Sequence, residues 1–221
     1  MTEPQIRIVE DGPYEVVGPL PLARTSKVKT EYGEPVDYTP LEPIETDTNY
    51  RLCRCGKSAN KPFCDDSELE EPRVDVKERA DHGPRSERVE VFQGDGAVIT
   101  DDLSICSHAG FCKDRFTGVW QMLYVDDPEV RERMKGMVEH CPSGRLAWAE
   151  SVDAPEHEPE FEQGIAAIRN GPLWVRGGVK VVGSDGEEYE VRNRQTLCRC
   201  GYSQNKPFCD GSHQLVRFRD G

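Results

Sequence analysis

Apolar residues occur in short runs, and the runs near the two ends of the chain follow the same pattern. The stretch IRIVEDGPYEVVG (6–18) resembles IAAIRNGPLWVRG (165–177), because in both a strand-like run leads through Gly-Pro into a second strand-like run. Short runs rich in β-branched and aromatic residues, bounded by Gly, Pro, Asn or Asp, indicate strands joined by turns. The pattern therefore predicts one β-rich module near each end of the chain.

The middle of the chain has a different pattern. Residues 88–106 (RVEVFQGDGAVITDDLSIC) predict two strands around a Gln-Gly-Asp-Gly turn. Residues 127–141 predict a helix that begins after an aspartate and has apolar residues at helical spacing on one face. The apolar residues of this face are Val130, Met134, Met137 and Val138.

These elements predict an α+β protein in which two small β-rich modules flank an inserted α+β domain. The first module has an insertion rich in Pro and Thr, and two charged, Pro-containing stretches without periodicity read as linkers. We expect module 1 over 1–75, a linker over 76–87, the central domain over 88–152, a linker over 153–160, and module 2 over 161–221.

The composition limits the partners and the location. The 221 residues carry 41 acidic against 28 basic side chains, a net charge of −13, which argues against binding to nucleic acid. The N-terminus has no basic region followed by an apolar one, and no apolar run approaches the length of a membrane span. We therefore expect a cytoplasmic protein that does not bind membranes, whose protein partner has a basic docking face.

Nine cysteines fall into three groups of three. In a reducing compartment they are not expected to form disulfides, and an odd number cannot pair completely within one chain. Three thiolates in each group, each set needing one further ligand, indicate three metal sites. The groups are Cys53, Cys55 and Cys64; Cys106, Cys112 and Cys141; and Cys198, Cys200 and Cys209.

The last group has a histidine at a suitable spacing. Cys198 and Cys200 would project to one face of a strand, and Cys209 and His213 to one face of a helical turn that Asp210 could cap. Three sulfurs and one nitrogen could hold either Zn²⁺ or a [2Fe–2S] cluster. The spacing differs from the paired C-x₂₋₄-C knuckles of most structural zinc sites, although zinc stays an alternative.

The stretch CRCGYSQNKPFCDGSH (198–213) resembles the CDGSH, or NEET, iron–sulfur family, whose motif is C-x-C-x₂-S/T-x₃-P-x-C-D-G-S/T/A-H. The resemblance implies a [2Fe–2S] cluster bound by three thiolates and one imidazole. Members of this family pair two motifs, in a homodimer or in tandem, so the repeat here implies a pseudo-twofold unit of two modules. The implied ligands are Cys198, Cys200, Cys209 and His213.

The first copy of the motif, CRCGKSANKPFCDDSE (53–68), matches the second at 12 of 16 positions but ends in Glu68 instead of a histidine. As a fourth ligand beside Cys53, Cys55 and Cys64, Glu68 would add a negative charge and make a [2Fe–2S] cluster harder to reduce. Alternatively, Glu68 is a solvated residue and the first site is incomplete. His82 could replace it only if the linker folds back.

The central group resembles a divergent single-cluster ferredoxin. Cys106 and Cys112 form C-x₅-C, Cys141 precedes a proline after the predicted helix, and Ala109 stands where a ferredoxin has its central cysteine. The resemblance implies a [3Fe–4S] cluster, or a [4Fe–4S] cluster with a fourth ligand other than cysteine. His108 is the candidate for that ligand, and the alternative is a histidine that forms a hydrogen bond or is exposed.

These sites support three functions of different classes. The first is electron transfer with a redox partner protein, and the second is cluster transfer to an apo-protein acceptor or redox and pH sensing. The third is a structural zinc protein. An enzyme is not expected, because the chain has no Ser–His–Asp signature, HExxH motif or Gly-rich phosphate loop.

Overall fold

Small sheets of short strands make up most of the described chain. The structure is a computed structural model that describes residues 3–70 and 74–220, apart from the side chain of Glu68. Many short strands and few helices agree with the predicted α+β class. The strands are β1 (Gln5–Ile8), β2 (Tyr14–Val17), β3 (Leu22–Thr25), β4 (Lys27–Lys29), β5 (Pro35–Tyr38), β6 (Glu42–Ile44), β7 (Tyr50–Leu52), β8 (Glu90–Gly94), β9 (Ala97–Asp101), β10 (Leu146–Ala149), β11 (Gly164–Ile168), β12 (Leu173–Arg176), β13 (Lys180–Val182) and β14 (Arg194–Leu197). The α-helices are α1 (Val119–Met122), α2 (Pro128–Glu139) and α3 (Ser212–Leu215).

The hairpins predicted from the two repeated stretches are both present. β1 pairs antiparallel with β2, and β11 pairs antiparallel with β12. In each turn the residue before Gly-Pro has a positive φ, 49° at Asp11 and 54° at Asn170. Asp and Asn adopt the left-handed region more readily than most residues, so the two repeats build equivalent turns from equivalent residues.

The two repeats exchange strands. β1 of the first repeat pairs in parallel with β13 of the second, and β11 of the second pairs in parallel with β3 of the first. The two sheets therefore have the orders β13-β1-β2-β7 and β14-β12-β11-β3-β6, and each contains strands from both ends of the chain. Neither repeat can leave the other without the loss of strand pairing in both sheets.

One apolar core fills the space between these sheets. It draws on both repeats because the inward-facing residues of the paired strands face each other, and its burial supplies the main driving force for their association. The pair Val16 and Val175, for example, comes from the equivalent strands β2 and β12. Other members include Ile6, Ile8, Tyr14, Leu22, Leu52, Ile165, Leu173, Val181, Leu197 and Phe208.

The middle segment folds as predicted into two strands and a helix. β8 and β9 form a hairpin, and β10 joins it in the order β10-β9-β8. The Asp127 side chain caps α2 by accepting hydrogen bonds from the N–H groups of Glu129 and Val130 at 2.8 and 3.2 Å. Met134 and Val138 of α2 are fully buried against this sheet. No helix in the described residues is long and apolar enough to cross a membrane.

Arg194 of β14 joins the middle segment to the second repeat. Its side chain is fully buried and donates to four main-chain carbonyl oxygens, each at 3.0 Å, and to the Glu158 carboxylate at 2.6 Å. Carbonyls at the end of a helix lack partners within the helix, so a buried guanidinium is a suitable donor for them. The four carbonyls belong to Val138, Glu139, Cys141 and Leu146.

The stretches expected to be linkers contain no strand and no α-helix, but they form hydrogen bonds with other parts of the chain. The N–H groups of Arg79 and Ala80 donate to the Lys206 carbonyl at 2.7 and 2.9 Å. Arg85 of the first linker is buried and donates to Glu156 of the second linker at 2.7 Å, so the two linkers are in direct contact. The domain boundaries themselves stay a prediction.

Candidate metal centres

The C-terminal motif brings its four predicted ligands together as two pairs. The Sγ atoms of Cys198 and Cys200 are 3.7 Å apart, and Cys209 Sγ lies 3.3 Å from His213 Nδ1. The Cys198 N–H donates to the Pro207 carbonyl, so the chain after the loop runs back beside the end of β14. This brings Cys209 and His213 close to Cys198 and Cys200. All four predicted ligands are buried.

Two pairs of donors suit two metal ions better than one. With Zn–S bonds of about 2.3 Å, all the thiolates of one tetrahedral zinc ion lie about 3.8 Å from one another. No three of the C-terminal donors lie within 4.8 Å of one another. In the described residues, the one group of three or more His, Cys, Asp or Glu ligand atoms that close together is His82, Asp185 and Glu187. The C-terminal donors therefore do not converge on one point, and their pairing fits the two irons of a [2Fe–2S] cluster.

The other residues of the motif shape the loop that carries these donors. Ser203 Oγ donates to the Phe208 carbonyl at 2.6 Å and accepts from the Asn205 N–H at 3.0 Å. The Asp210 carboxylate accepts from the N–H of Ser212, the first residue of α3, at 2.9 Å. The N-cap of α3 is Gly211, so Asp210 stabilises the turn before the helix and is not the predicted N-cap. The loop is therefore held by its own side chains.

The electrostatics of the C-terminal site favour the ligand forms of Cys198 and His213, whereas they favour the protonated thiols of Cys200 and Cys209. The hydrogen bond with Cys200 lowers the pKa of the Cys198 thiol to about 6, and the same interaction raises the pKa of Cys200. Burial raises the pKa of Cys209 and lowers the pKa of His213 to about 4. His213 is therefore a neutral imidazole near pH 7, which is the form that binds metals.

The N-terminal motif has the same scaffold. The Sγ atoms of Cys53 and Cys55 are 3.8 Å apart, and their hydrogen bond lowers the pKa of Cys53 to about 7. The Cys53 N–H donates to the Pro62 carbonyl at 2.9 Å, as the Cys198 N–H does to Pro207. Ser58 Oγ donates to the Phe63 carbonyl at 2.7 Å, as Ser203 does in the second motif.

The two motifs differ in their last turn. Cys64 is half-buried, whereas its counterpart Cys209 is buried. Asp66 stands in place of Gly211, has φ 65° where Gly211 has φ 85°, and its carboxylate pairs with Arg51 at 2.7 Å. The main chain of Glu68 lies in a 3-10 turn over Ser67–Leu69. Its side chain lies outside the described residues, so its role as a ligand stays a prediction.

In the central group, Arg145 contacts the Cys106 thiol and interacts electrostatically with Cys112. Cys106 follows a 3-10 turn, and its Sγ accepts a hydrogen bond from Arg145 Nη1 at 3.1 Å. Cys141 Sγ lies 3.6 Å from Ser143 Oγ just after α2. Burial and the nearby Cys141 thiol raise the pKa of Cys112. The three thiols are therefore close enough to interact electrostatically.

His108 lies against the C-terminal motif. It is exposed, has φ 54°, and its ring covers Gly211, where a Cβ atom would lie 2.7 Å from His108 Cδ2. Its carbonyl accepts a hydrogen bond from Gln214 Nε2 at 2.7 Å. This position agrees with the alternative of an exposed histidine, and ligation by His108 stays a prediction. His82 stacks on Tyr189 with ring centroids 3.9 Å apart.

Two buried arginines were missed at the level of sequence. Arg54 and Arg199 stand between the first two cysteines of their motifs, and each reaches the hairpin turn of its own repeat. Arg54 Nε donates to the Gly12 carbonyl at 2.9 Å, and Arg199 Nε donates to the Gly171 carbonyl at 2.8 Å. The signal was available, because the same arginine occurs at the same place in both copies. Because arginine is usually exposed, the sequence did not indicate that these two side chains are buried.

The three groups of thiols lie in series. Gly56 and Gly201 both have a positive φ, of 81° and 84°. A Cβ atom on Gly56 would overlap the Cys200 carbonyl oxygen, and a Cβ atom on Gly201 would overlap the Cys55 carbonyl oxygen. The two repeated motifs therefore touch through their main chains. The C-terminal motif also contacts the loop of residues 103–112, where Asn205 Nδ2 donates to the Ser104 carbonyl at 2.8 Å. The C-terminal motif thus contacts both of the other two regions that carry cysteines.

Comparison with known protein families gives matches in all three parts of the chain. The family described as iron-binding zinc finger, CDGSH type, matches residues 11–67 and again residues 170–214. The family described as divergent 4Fe-4S mono-cluster matches residues 92–151. Comparison with curated proteins finds no match. Each match contains one of the three groups of cysteines, and both families bind iron.

Proposed function

Because the chain is an iron–sulfur protein of the CDGSH family, with its motif in tandem around a divergent 4Fe–4S mono-cluster domain, we propose that it transfers electrons. The serial contact of its three cysteine sites is the observation that supports this function. A bound iron–sulfur cluster supplies a one-electron redox couple. The nine thiols are buried or half-buried, the two repeated motifs are in main-chain contact, and the Asn205 side chain joins the last motif to the central loop, which favours passage of an electron from one site to the next.

The proposal assigns a set of donors to each site. Two [2Fe–2S] sites are formed by the repeated motifs, which make a pseudo-twofold unit supported by the exchange of β3 and β13. The central site takes a [3Fe–4S] or [4Fe–4S] cluster. The proposed donors are Cys53, Cys55, Cys64 and Glu68 for the first site, Cys106, Cys112, Cys141 and His108 for the central site, and Cys198, Cys200, Cys209 and His213 for the last.

The same proposal includes the setting in which the protein acts. Nine free cysteines suit a reducing compartment, which supports a cytoplasmic location. A net charge of −13 favours a redox partner with a basic docking face. The chain then carries electrons for other proteins and is not itself a catalyst.

Cluster transfer to an apo-protein is a second candidate, and the first motif favours it. Cys64 is half-buried and the neighbouring Asp65 and Asp66 are exposed, whereas the corresponding turn of the last motif is mostly buried. An acceptor thiolate could reach the first site more easily than the last. Transfer to an apo-ferredoxin from the first site alone, without a change of oxidation state, would favour this candidate over electron transfer.

Metal analysis tests the assignment of the sites. We expect about seven or eight iron atoms and about eight acid-labile sulfides per anaerobically purified chain, with three signals in electron paramagnetic resonance that respond to reduction or oxidation. About five or six irons would mean that the first site is empty and that Glu68 is not a ligand. About three zinc ions with little iron would contradict the proposal.

A His213→Cys variant tests the ligands of the last site. We expect the reduction potential of this site to fall by an amount on the order of 100 mV, because a thiolate adds a negative charge where a neutral imidazole was bound. Redox titration followed by visible absorption measures the shift. The control His157→Cys adds the same thiol at an exposed position. An unchanged spectrum and potential in His213→Cys would show that His213 does not bind iron.

A further inference from the structure

A cleft of about 570 Å³ lies where the two repeats and the central domain meet. β4 of the first repeat forms one wall, and Ser107, Ala109 and Pro142 of the central domain form another. The second repeat contributes the turn between β11 and β12, and His213. Clefts of this volume at the junction of domains are typical of small-molecule sites.

The charge of the cleft is opposite to that of the whole chain. Acidic residues outnumber basic ones 41 to 28, yet the charged residues that line the cleft are all basic. None of them forms a salt bridge with a carboxylate in the described residues. They are Lys27, Lys29, Arg169 and Arg219, of which all but Lys27 are exposed.

Lys27 and Tyr38 in the wall have polar groups whose hydrogen-bonding capacity is not fully used by the described residues. Burial and the charge of Lys29 lower the pKa of Lys27, whose Nζ has one hydrogen-bond acceptor, the Ala109 carbonyl at 3.0 Å. The Tyr38 hydroxyl is buried and has no hydrogen-bond partner among the described residues. An anion in the cleft would offset the repulsion between the lysines and could accept a hydrogen bond from the tyrosine.

The cleft is not the space that the clusters themselves would fill. A cavity left by a cluster would be lined by the thiolates that hold it, whereas none of the nine cysteines lines this cleft and His213 is the one proposed cluster ligand in its wall. Its cations could instead serve only to balance the charge of the neighbouring sites. That explanation predicts no binding of a diffusible anion, so a binding measurement separates the two.

We propose that this cleft binds a small polyanion that carries phosphate or carboxylate groups and acts as a ligand of the protein next to its C-terminal site. Arginine recognises both groups through paired hydrogen bonds, and four cations suit a ligand with two or more negative charges. Because the ligand lies beside His213, its charge makes that site harder to reduce. The binding itself does not depend on the proposed electron transfer.

Isothermal titration calorimetry of the holoprotein at about 0.15 M ionic strength tests the proposal, with pyrophosphate and citrate as probes. We expect at least one probe to bind, and the double variant Lys29→Gln/Arg219→Gln to weaken its binding about tenfold or more. The matched control is Arg7→Gln/Lys77→Gln, which removes two exposed positive charges that do not line the cleft. We expect the control to bind as the wild type does.

The outcomes separate the ligand classes. Binding of pyrophosphate alone indicates a phosphorylated ligand, and binding of citrate alone a polycarboxylate. If neither probe binds, or if the control loses binding as the cleft variant does, the proposal is wrong. Binding of a hexaglutamate peptide in place of both probes would also overturn it, in favour of an acidic protein segment. The calorimetric result stands whether or not the sites transfer electrons.

Discussion

Replacing Arg194 with methionine is expected to reduce the free energy of unfolding by about 3–5 kcal/mol, the usual range when one partner of a buried, hydrogen-bonded ion pair is removed. Methionine keeps most of the apolar volume, so the loss comes from the unpaired acceptors. These are the Glu158 carboxylate and four carbonyls, of which those of Val138 and Leu146 are buried and those of Glu139 and Cys141 are partly buried. The acceptors that keep contact with water set the loss toward the lower end of the range.

The same substitution should affect the central metal site before the other two. Arg194 donates to the Cys141 carbonyl and to the last carbonyls of α2, so it fixes the segment that carries one thiol of that site. We therefore expect the signal of the central cluster to weaken at a lower urea concentration than the signals of the repeated motifs.

Urea unfolding of anaerobic holoprotein, followed by circular dichroism and visible absorption, measures both effects. The control Arg7→Met changes an exposed arginine of β1 and should alter stability by about 0.5 kcal/mol or less. If Arg194→Met unfolds at the same midpoint as this control, then the buried guanidinium does not join the central domain to the second repeat.

The local features of this fold were predictable from the sequence because they depend on neighbouring residues. Alternation of apolar and polar residues around Gly-Pro defined the β1–β2 and β11–β12 hairpins. An aspartate followed by proline and a helical apolar face defined α2. The spacing of each cysteine motif predicted which thiols would meet, and the pairs Cys53–Cys55 and Cys198–Cys200 agree with it.

The features that escaped prediction join distant parts of the chain. The parallel pairing of β3 with β11 connects residues more than a hundred positions apart, and no local pattern specifies such a partner. Arg194 is charged and fully buried, against the usual preference of arginine. The basic cleft is built from separate segments of the two repeats and the central domain, and no single segment indicates it.

The contact between the two repeated motifs leads to the second large effect. We expect Gly201→Ala to reduce the free energy of unfolding by about 3 kcal/mol, of which about 1 kcal/mol comes from a positive φ and about 2 kcal/mol from overpacking. The new Cβ would overlap the Cys55 carbonyl oxygen and lie 2.8 Å from Val74 Cγ1. A main-chain carbonyl cannot rotate away as a flexible side chain can, so the two motifs must move apart.

Gly186 provides a matched control. It has φ 88°, close to the 84° of Gly201, but a Cβ atom there would meet nothing within 4 Å. Gly186→Ala should therefore cost only the backbone component, about 1 kcal/mol. The difference between the two variants in urea unfolding isolates the contact between the motifs, and their visible spectra show whether the clusters are retained.

Gly56 makes the equivalent contact from the first motif and provides a second test of the interface. Gly56→Ala should weaken the same interface from the other side, because its Cβ would overlap the Cys200 carbonyl oxygen. Once one substitution has separated the motifs, the second has less to disturb, so the double variant should lose less stability than the sum of the two. Both single variants should also weaken the magnetic coupling between the first and last clusters. If Gly201→Ala costs no more than Gly186→Ala and the coupling is unchanged, the two motifs are not in contact, and the serial arrangement no longer supports electron transfer between them.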